Sequence, residues 1–250
     1  MKLVFSRKGF DSAAGGFPSP IVNGVPVSLP IPARERSHTT YGDLGLGGLV
    51  QWVTEGRLGA YSLCHCDPMF ESGRCAFGQA GAAQGHLAKN GVAAGDVFLF
   101  FGLFSNLDGG DRHHRIFGCL RVEEVLCLGA EPELAAQPGG FRIRHPHTIG
   151  QWPRNNCLYV GPGSRAVHAS DALRLSVPGG PVSRWRVPAW LRRTGLTYHG
   201  REDRWESGYA LRTVARGQEF VADIGRDQEA RRWVEDMIDT ISGLGDRASA

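Results

Sequence analysis

Apolar residues in this chain come in short bursts, most too brief for helices and separated by glycine- and proline-rich breaks. Residues 1–5 are apolar apart from Lys2 and read as a strand. Ser6-Arg7-Lys8-Gly9-Phe10-Asp11-Ser12 follows at once, so two cations and a carboxylate arrive together at a strand end. Asn23-Gly24 is a strong turn pair, and residues 21–29 predict a hairpin. Leu29-Pro30-Ile31-Pro32 suits an edge or a loop. Leu49, Val50, Trp52 and Val53 predict a short helix over 49–55. Residues 60–66 predict a buried strand ended by Asp67-Pro68. Ala82, Ala83, His86 and Leu87 lie at helical spacing before Asn90-Gly91, which predicts a helix over 80–90.

Val97-Phe98-Leu99-Phe100-Phe101 is apolar at every position and predicts a buried strand. Residues 116–126 predict its return, across a polar tip at 105–115 that carries Asp108, Asp111, Arg112, His113, His114 and Arg115. Short strands are expected at 141–144, 157–160 and 173–177, with Gly161-Pro162-Gly163-Ser164 as a turn. Residues 185–191 are aromatic and broken by proline. Ala230, Trp233, Val234, Met237, Ile238 and Ile241 form one apolar stripe opposite Arg231, Arg232, Glu235 and Asp236, which predicts an amphipathic helix over 226–241. The expected fold is α+β, one domain over 1–245 with a frayed tail at 246–250. Its sheet is mostly antiparallel and barrel-like (PUA-like), with a few flanking helices.

Composition sharpens this in three places. Thirty-five glycines and 14 prolines favour turns and loops over a helical bundle. A net charge of +3 is weakly basic, compatible with a phosphate-bearing ligand and far from proof of one. No apolar run approaches the roughly 18 residues of a membrane span, and no apolar leader precedes Arg7-Lys8, so a cytoplasmic location is expected. The six cysteines are scattered, as reduced thiols would be. Cys64-His65-Cys66 with Cys75 lacks zinc-site spacing, and no metal ligands are assigned. Lysine is rare, three against 25 arginines, which singles out Lys8, although a general arginine bias explains the count equally well.

Candidate chemistry lies in polar clusters. The chain has no phosphate-binding P-loop, dinucleotide fingerprint, deaminase signature or nucleophile elbow, so no cofactor is named and the common kinase, dehydrogenase, zinc-deaminase and hydrolase classes are set aside. The first cluster is Arg7, Lys8, Asp11 and Ser12. The second is His65 and Asp67, with Glu71 and Gln79 beyond; Asp67 could hold Mg²⁺ or act as a base, or simply start a turn before proline. The third is His113-His114. The fourth is Arg142, Arg144, His145 and His147, followed by Trp152, Arg154, Asn155 and Asn156, a mixture suited to phosphate and base contacts or to an exposed basic loop. Gln218 and Glu219 could read a base edge or cap local backbone groups.

Ser6-Arg7-Lys8-Gly9-Phe10-Asp11, Pro18-Ser19-Pro20-Ile21, Leu29-Pro30-Ile31-Pro32, Tyr41-Gly42-Asp43-Leu44, Asp67-Pro68, Ala76-Phe77-Gly78-Gln79, Gly95-Asp96-Val97-Phe98, Asn156-Cys157-Leu158-Tyr159-Val160 and Gly217-Gln218-Glu219-Phe220-Val221 occur in that order. Together they resemble the nucleotide modification associated domain 3 family over nearly the whole chain. The resemblance implies a role in nucleic-acid base modification systems of phages and bacteria without naming a reaction. Met69 stands after Pro68 where the family pattern often has a second Asp, which speaks against a two-carboxylate metal site at that segment. Residues 95–101 with 116–125 are also similar to the strand pair of PUA-like domains of the EVE type, which hold a flipped modified base.

Three functions remain open on these residues. In the first, an enzyme (a transferase or hydrolase) modifies a nucleobase or nucleotide, with Lys8, Asp11 and Asp67 catalytic. Arg7, Ser12, Gln79, Arg142, His145, Asn156, Gln218 and Glu219 would then bind the substrate. The alternative is a PUA-like reader that binds a modified base in DNA or RNA through an aromatic cage without chemistry, Phe98, Phe100, Phe101, Phe104 and Trp152 being the candidates. The third is a partner-binding subunit of a modification complex.

Overall fold

The computed structural model describes residues 1–132, 137–206, 209–215 and 219–244. In chain order the strands and helices are β1 Lys2–Arg7, β2 Ser19–Val22, β3 Val25–Pro26, β4 Ile31–Pro32, α1 Gly47–Val53, β5 Cys64–His65, β6 Met69–Glu71, β7 Arg74–Gln79, α2 Gly81–Lys89, β8 Val97–Asn106, β9 His113–Arg121, β10 Glu124–Cys127, β11 Cys157–Arg165, β12 Arg184–Arg186, α3 Ala189–Thr194, β13 Trp205–Glu206, β14 Ala210–Arg212, β15 Glu219–Asp223 and α4 Gln228–Ser242.

A ten-stranded sheet runs β15-β1-β8-β9-β11-β7-β6, with β10 beside β11 and the β2–β3 hairpin beside β8. The pairing is mostly antiparallel, but β1 and β2 both run parallel to β8. That is why β8 reads as apolar throughout: a central strand covered on both faces has no solvent side. Alternate residues feed two cores. Leu3, Phe5, Val97, Leu99 and Phe101 enter one, shared with Trp185, Trp190 and the apolar stripe of α4. Val4, Phe98, Phe100 and Phe104 enter the other, with Phe77 and Tyr159. Among the described residues the sheet path is open and no closed barrel is found.

Several expectations are corrected. Residues 161–164 are not a turn but the continuation of β11, which leaves β10 and pairs with β9 there. A Cβ on Gly161 would lie 2.0 Å from the Arg121 carbonyl oxygen, and one on Gly163 would lie 2.4 Å from that of Cys119. The glycines therefore serve close strand approach, not chain reversal. The single strand expected over 116–126 is broken after Arg121, where the Val122 N–H turns to the Asp96 carbonyl and the Glu123 N–H to that of Val160. Residues 141–144 form no strand, and 173–177 reduce to a short 3-10 turn and single bridges, because Arg174 and Ser176 each contact a different neighbour. Of the strand expected at 60–66 only Cys64–His65 forms a strand, against the proline-interrupted β4, and Leu63 makes a single bridge to Thr40.

Candidate functional site

Strand ends converge on one cavity of about 230 Å³, lined by Arg7, Lys8, Asp11, His65, Asp67, Gln79, His147 and Trp152 among others. The C-terminal end of β1 brings Arg7 and Lys8, the C-terminal end of β7 brings Gln79, and the start of β15 brings Glu219 beside them. The β1–β15 register, Ser6 opposite Glu219, sets Lys8 just past the last pair. Its ammonium lies 2.9 Å from Glu219 Oε1 and 4.6 Å from the centre of the Phe77 ring. The Gln79 amide donates to the same Glu219 oxygen at 2.7 Å. Glu219 is 1% exposed, and its other oxygen is buried without a hydrogen-bond partner among the described residues. Gly9, with φ +78°, ends the strand where a Cβ would strike the Ser28 hydroxyl at 2.6 Å.

The opposite wall is built on Asp67. Its Oδ1 accepts the Gly78 N–H at 3.0 Å, and His145 Nε2 lies 3.3 Å from the same oxygen, though out of line for a good hydrogen bond. Oδ2 faces His65 Nε2 and His147 Nε2, each 3.7 Å away. Burial alone would push this carboxyl up. The surrounding His145, His65 and His147 imidazoles outweigh it and hold Asp67 well below the usual carboxylate range. Burial also depresses His147, to about 3, against the pull of Asp67. At neutral pH the pair is therefore an ionised carboxylate beside a neutral imidazole.

The hydrogen bonds fix the histidine tautomers. The Asn156 amide donates to the His147 carbonyl at 2.9 Å, so its Oδ1 must face His147 Nδ1, 2.6 Å away. His147 therefore carries its proton on Nδ1 and turns a bare Nε2 toward Asp67. His145 Nδ1 accepts the His147 N–H at 3.1 Å, at the start of the 3-10 turn Pro146–Thr148. A neutral His145 thus keeps its proton on Nε2, facing Asp67. Trp152 stacks on His147 at 3.9 Å and 18°, and the Arg36 guanidinium covers it at 4.5 Å. The His147 ring occupies space that a side chain at 78 would fill: a Cβ there would lie 2.3 Å from it.

The expected residues divide as follows. Arg7, Lys8, Asp11, Asp67 and Gln79 share the cavity, and Glu219 is bound to two of them. Asp11 accepts the N–H groups of Ala13 and Ala14 and shapes its own loop, while its other oxygen lies 4.0 Å from Arg7. Ser12 is exposed. His145 and Asn156 are fully buried and act through Asp67 and His147, so neither touches a ligand in the cavity. Arg142 points away, 92% exposed and 2.7 Å from Glu71. Arg144 is held by the Thr148 carbonyl and hydroxyl. Gln218 lies outside the described residues. His65 and His147, which the sequence places in the second and fourth clusters without a role, also line the cavity. The signal was two pairs of alternate polar residues, His65 with Asp67 and His145 with His147, about 80 positions apart. Strand alternation turns Cys64 into a separate apolar cluster, away from His65.

A wider depression of about 480 Å³ lies near Asn106, His113, Arg115 and Arg174 at the hairpin tip. Its cations are engaged, Arg115 by His113 and Ser170 and Arg174 by Asp111.

No helix among the described residues is long and apolar enough to cross a membrane. No curated protein and no solved structure matches the chain. The family model for nucleotide modification associated domain 3, by contrast, matches residues 2–223, which include every residue of this cavity, and the chain belongs to that family.

Proposed function

We propose that this protein is an enzyme that modifies a nucleobase or nucleotide held between the Lys8–Glu219–Gln79 cluster and Asp67 with its histidines. The observation that carries this reading is the Lys8–Glu219 pair, buried at the mouth of β1 with one carboxylate oxygen lacking a partner among the described residues. Desolvating such a pair gives little or no net stability against an apolar substitute, so a fold that keeps it has another use for it. The cavity is smaller than the roughly 300–1,000 Å³ of drug-sized ligand sites, and suits a base or sugar fragment. Lys8, as the cationic half of an ion pair, offers charge to a phosphate or a polarised carbonyl. Asp67, ionised, offers a fixed negative charge and a hydrogen-bond acceptor. Partner proteins of a modification system and a place in a phage or cellular pathway belong to the same proposal.

The reader alternative draws less support. Phe98, Phe100, Phe101 and Phe104 are buried in the two cores, and Trp152 is engaged by the stacked His147 ring and the Arg36 guanidinium. No aromatic cage therefore lines the cavity among the described residues.

The test compares nucleosides by mass spectrometry from cells with the wild-type gene, without it, and with a Lys8→Met/Glu219→Gln double variant. Lys8→Ala alone is a poor probe, because an unpaired buried Glu219 would cost about 3–5 kcal/mol. The double variant removes both charges and keeps an amide oxygen for Gln79. The expected outcome is a changed nucleoside in wild type that disappears in a folded double variant. A profile unchanged by the wild-type gene would sink the proposal.

A further inference from the structure

We propose that His65, Asp67 and His147 bind one divalent transition-metal ion of the zinc or iron class, with the open side of the ion facing the Lys8–Gln79 cavity. One donor atom from each of the three lies within 4.8 Å of the others, and Asp67 Oδ2 is 3.7 Å from each imidazole Nε2. An ion between them would sit about 2–2.5 Å from each atom, against about 2.0–2.2 Å in a formed site, so contraction by a few tenths of an ångström closes it. Two imidazole nitrogens and one carboxylate oxygen suit Zn²⁺ or Fe²⁺, not the all-oxygen preference of Mg²⁺. This replaces the Mg²⁺ reading of Asp67.

The supporting shell separates this trio from a chance cluster. A ligating histidine needs a bare nitrogen on the metal side and a partner for its other N–H. His147 has both, because the Asn156 amide orientation is itself fixed by the His147 carbonyl. A ligating carboxylate needs one oxygen anchored and the other free. Asp67 has Oδ1 anchored by the Gly78 N–H and near His145, and Oδ2 aimed between the two imidazoles. Gly78 leaves room for the His147 ring, and Trp152 stacks on it and holds its plane. His65, with a side chain 20% exposed, supplies the entry side.

The experiment titrates metal-stripped, full-length protein with Zn²⁺ and Co²⁺, reading stoichiometry by calorimetry and ligand geometry from the visible Co²⁺ spectrum. One ion per chain is expected. His65→Ala, at a partly exposed position, should weaken binding at least about 100-fold, and Asn156→Ala about 10- to 100-fold through the freed His147 ring. His168→Ala, exposed and remote from the trio, should leave affinity unchanged. Circular dichroism checks that each variant is folded. Absence of saturable binding, or binding that survives His65→Ala in a folded protein, overturns the site. The readout uses the ion alone, so it fails independently of the enzyme reading: nucleoside modification could persist without metal, and metal could bind where no nucleoside changes.

Discussion

Single residues in this protein carry more than their types announce. Lys8 stands out in the sequence by rarity, yet its ion-pair partner is Glu219, 211 positions away, which only the β1–β15 pairing brings within 2.9 Å. His145 and Asn156 were legible as polar residues of a candidate loop, but not as buried supports, because a tautomer is set by a partner and not by a neighbour in sequence. A histidine outside the cavity gives a pH test of the same kind of burial. His114 is depressed to about 4, chiefly by burial, then by the Arg7 and His113 charges, against the pull of Asp11, and it accepts the Trp185 indole N–H at 3.0 Å. The unfolded chain, titrating near 6.5, binds more protons than the fold between about pH 6.5 and 4, so stability is full above that window and lost as pH falls through it. Wild type should lose about 2–3 kcal/mol more than His114→Asn over that range in chemical denaturation, a difference of roughly two pKa steps. Equal slopes would show that His114 is not held neutral by the fold.

At the scale of elements, local pattern succeeded where one periodicity ran uninterrupted. The stripe of α4 and the apolar run of β8 are both present, and α4 begins at Asp227, whose side chain accepts the N–H groups of Glu229 and Ala230. Pattern failed where a strand changes partners, as β11 does at Gly161 and Gly163. Glycine and proline in sequence signal a turn by their backbone preferences, whereas here glycine is required by the missing side chain. Gly161→Ala should therefore destabilise the protein by about 1–3 kcal/mol as strands β9–β11 are forced apart. A melting temperature equal to wild type would mean the close approach at Arg121 relaxes without penalty.

The whole molecule sets a boundary the family match does not. The match ends at residue 223, but α4 lies beyond it and buries Ala230, Val234, Met237 and Ile241 in the core that holds β1 and β8. We infer that the chain folds as one unit through α4. A chain ending at Asp223 should melt more than about 10 °C below the full protein, or fail to fold, because one face of the central sheet would be uncovered. Calorimetry of the two chains decides it, and a matching transition would restrict the folding unit to the matched residues.

The sequence by itself determined the strand-rich α+β class, the long terminal helix and the polar strand ends that compose the cavity, because each follows from periodicity or residue type over a few consecutive positions; the family rests instead on short motifs matched in order along residues 2–223. Only the tertiary structure decided which ends meet. Lys8 with Glu219, Asp67 with His147 and His147 with Asn156 are contacts of sheet order, buried orientation and tautomer, and these depend on pairings between segments that local pattern cannot rank.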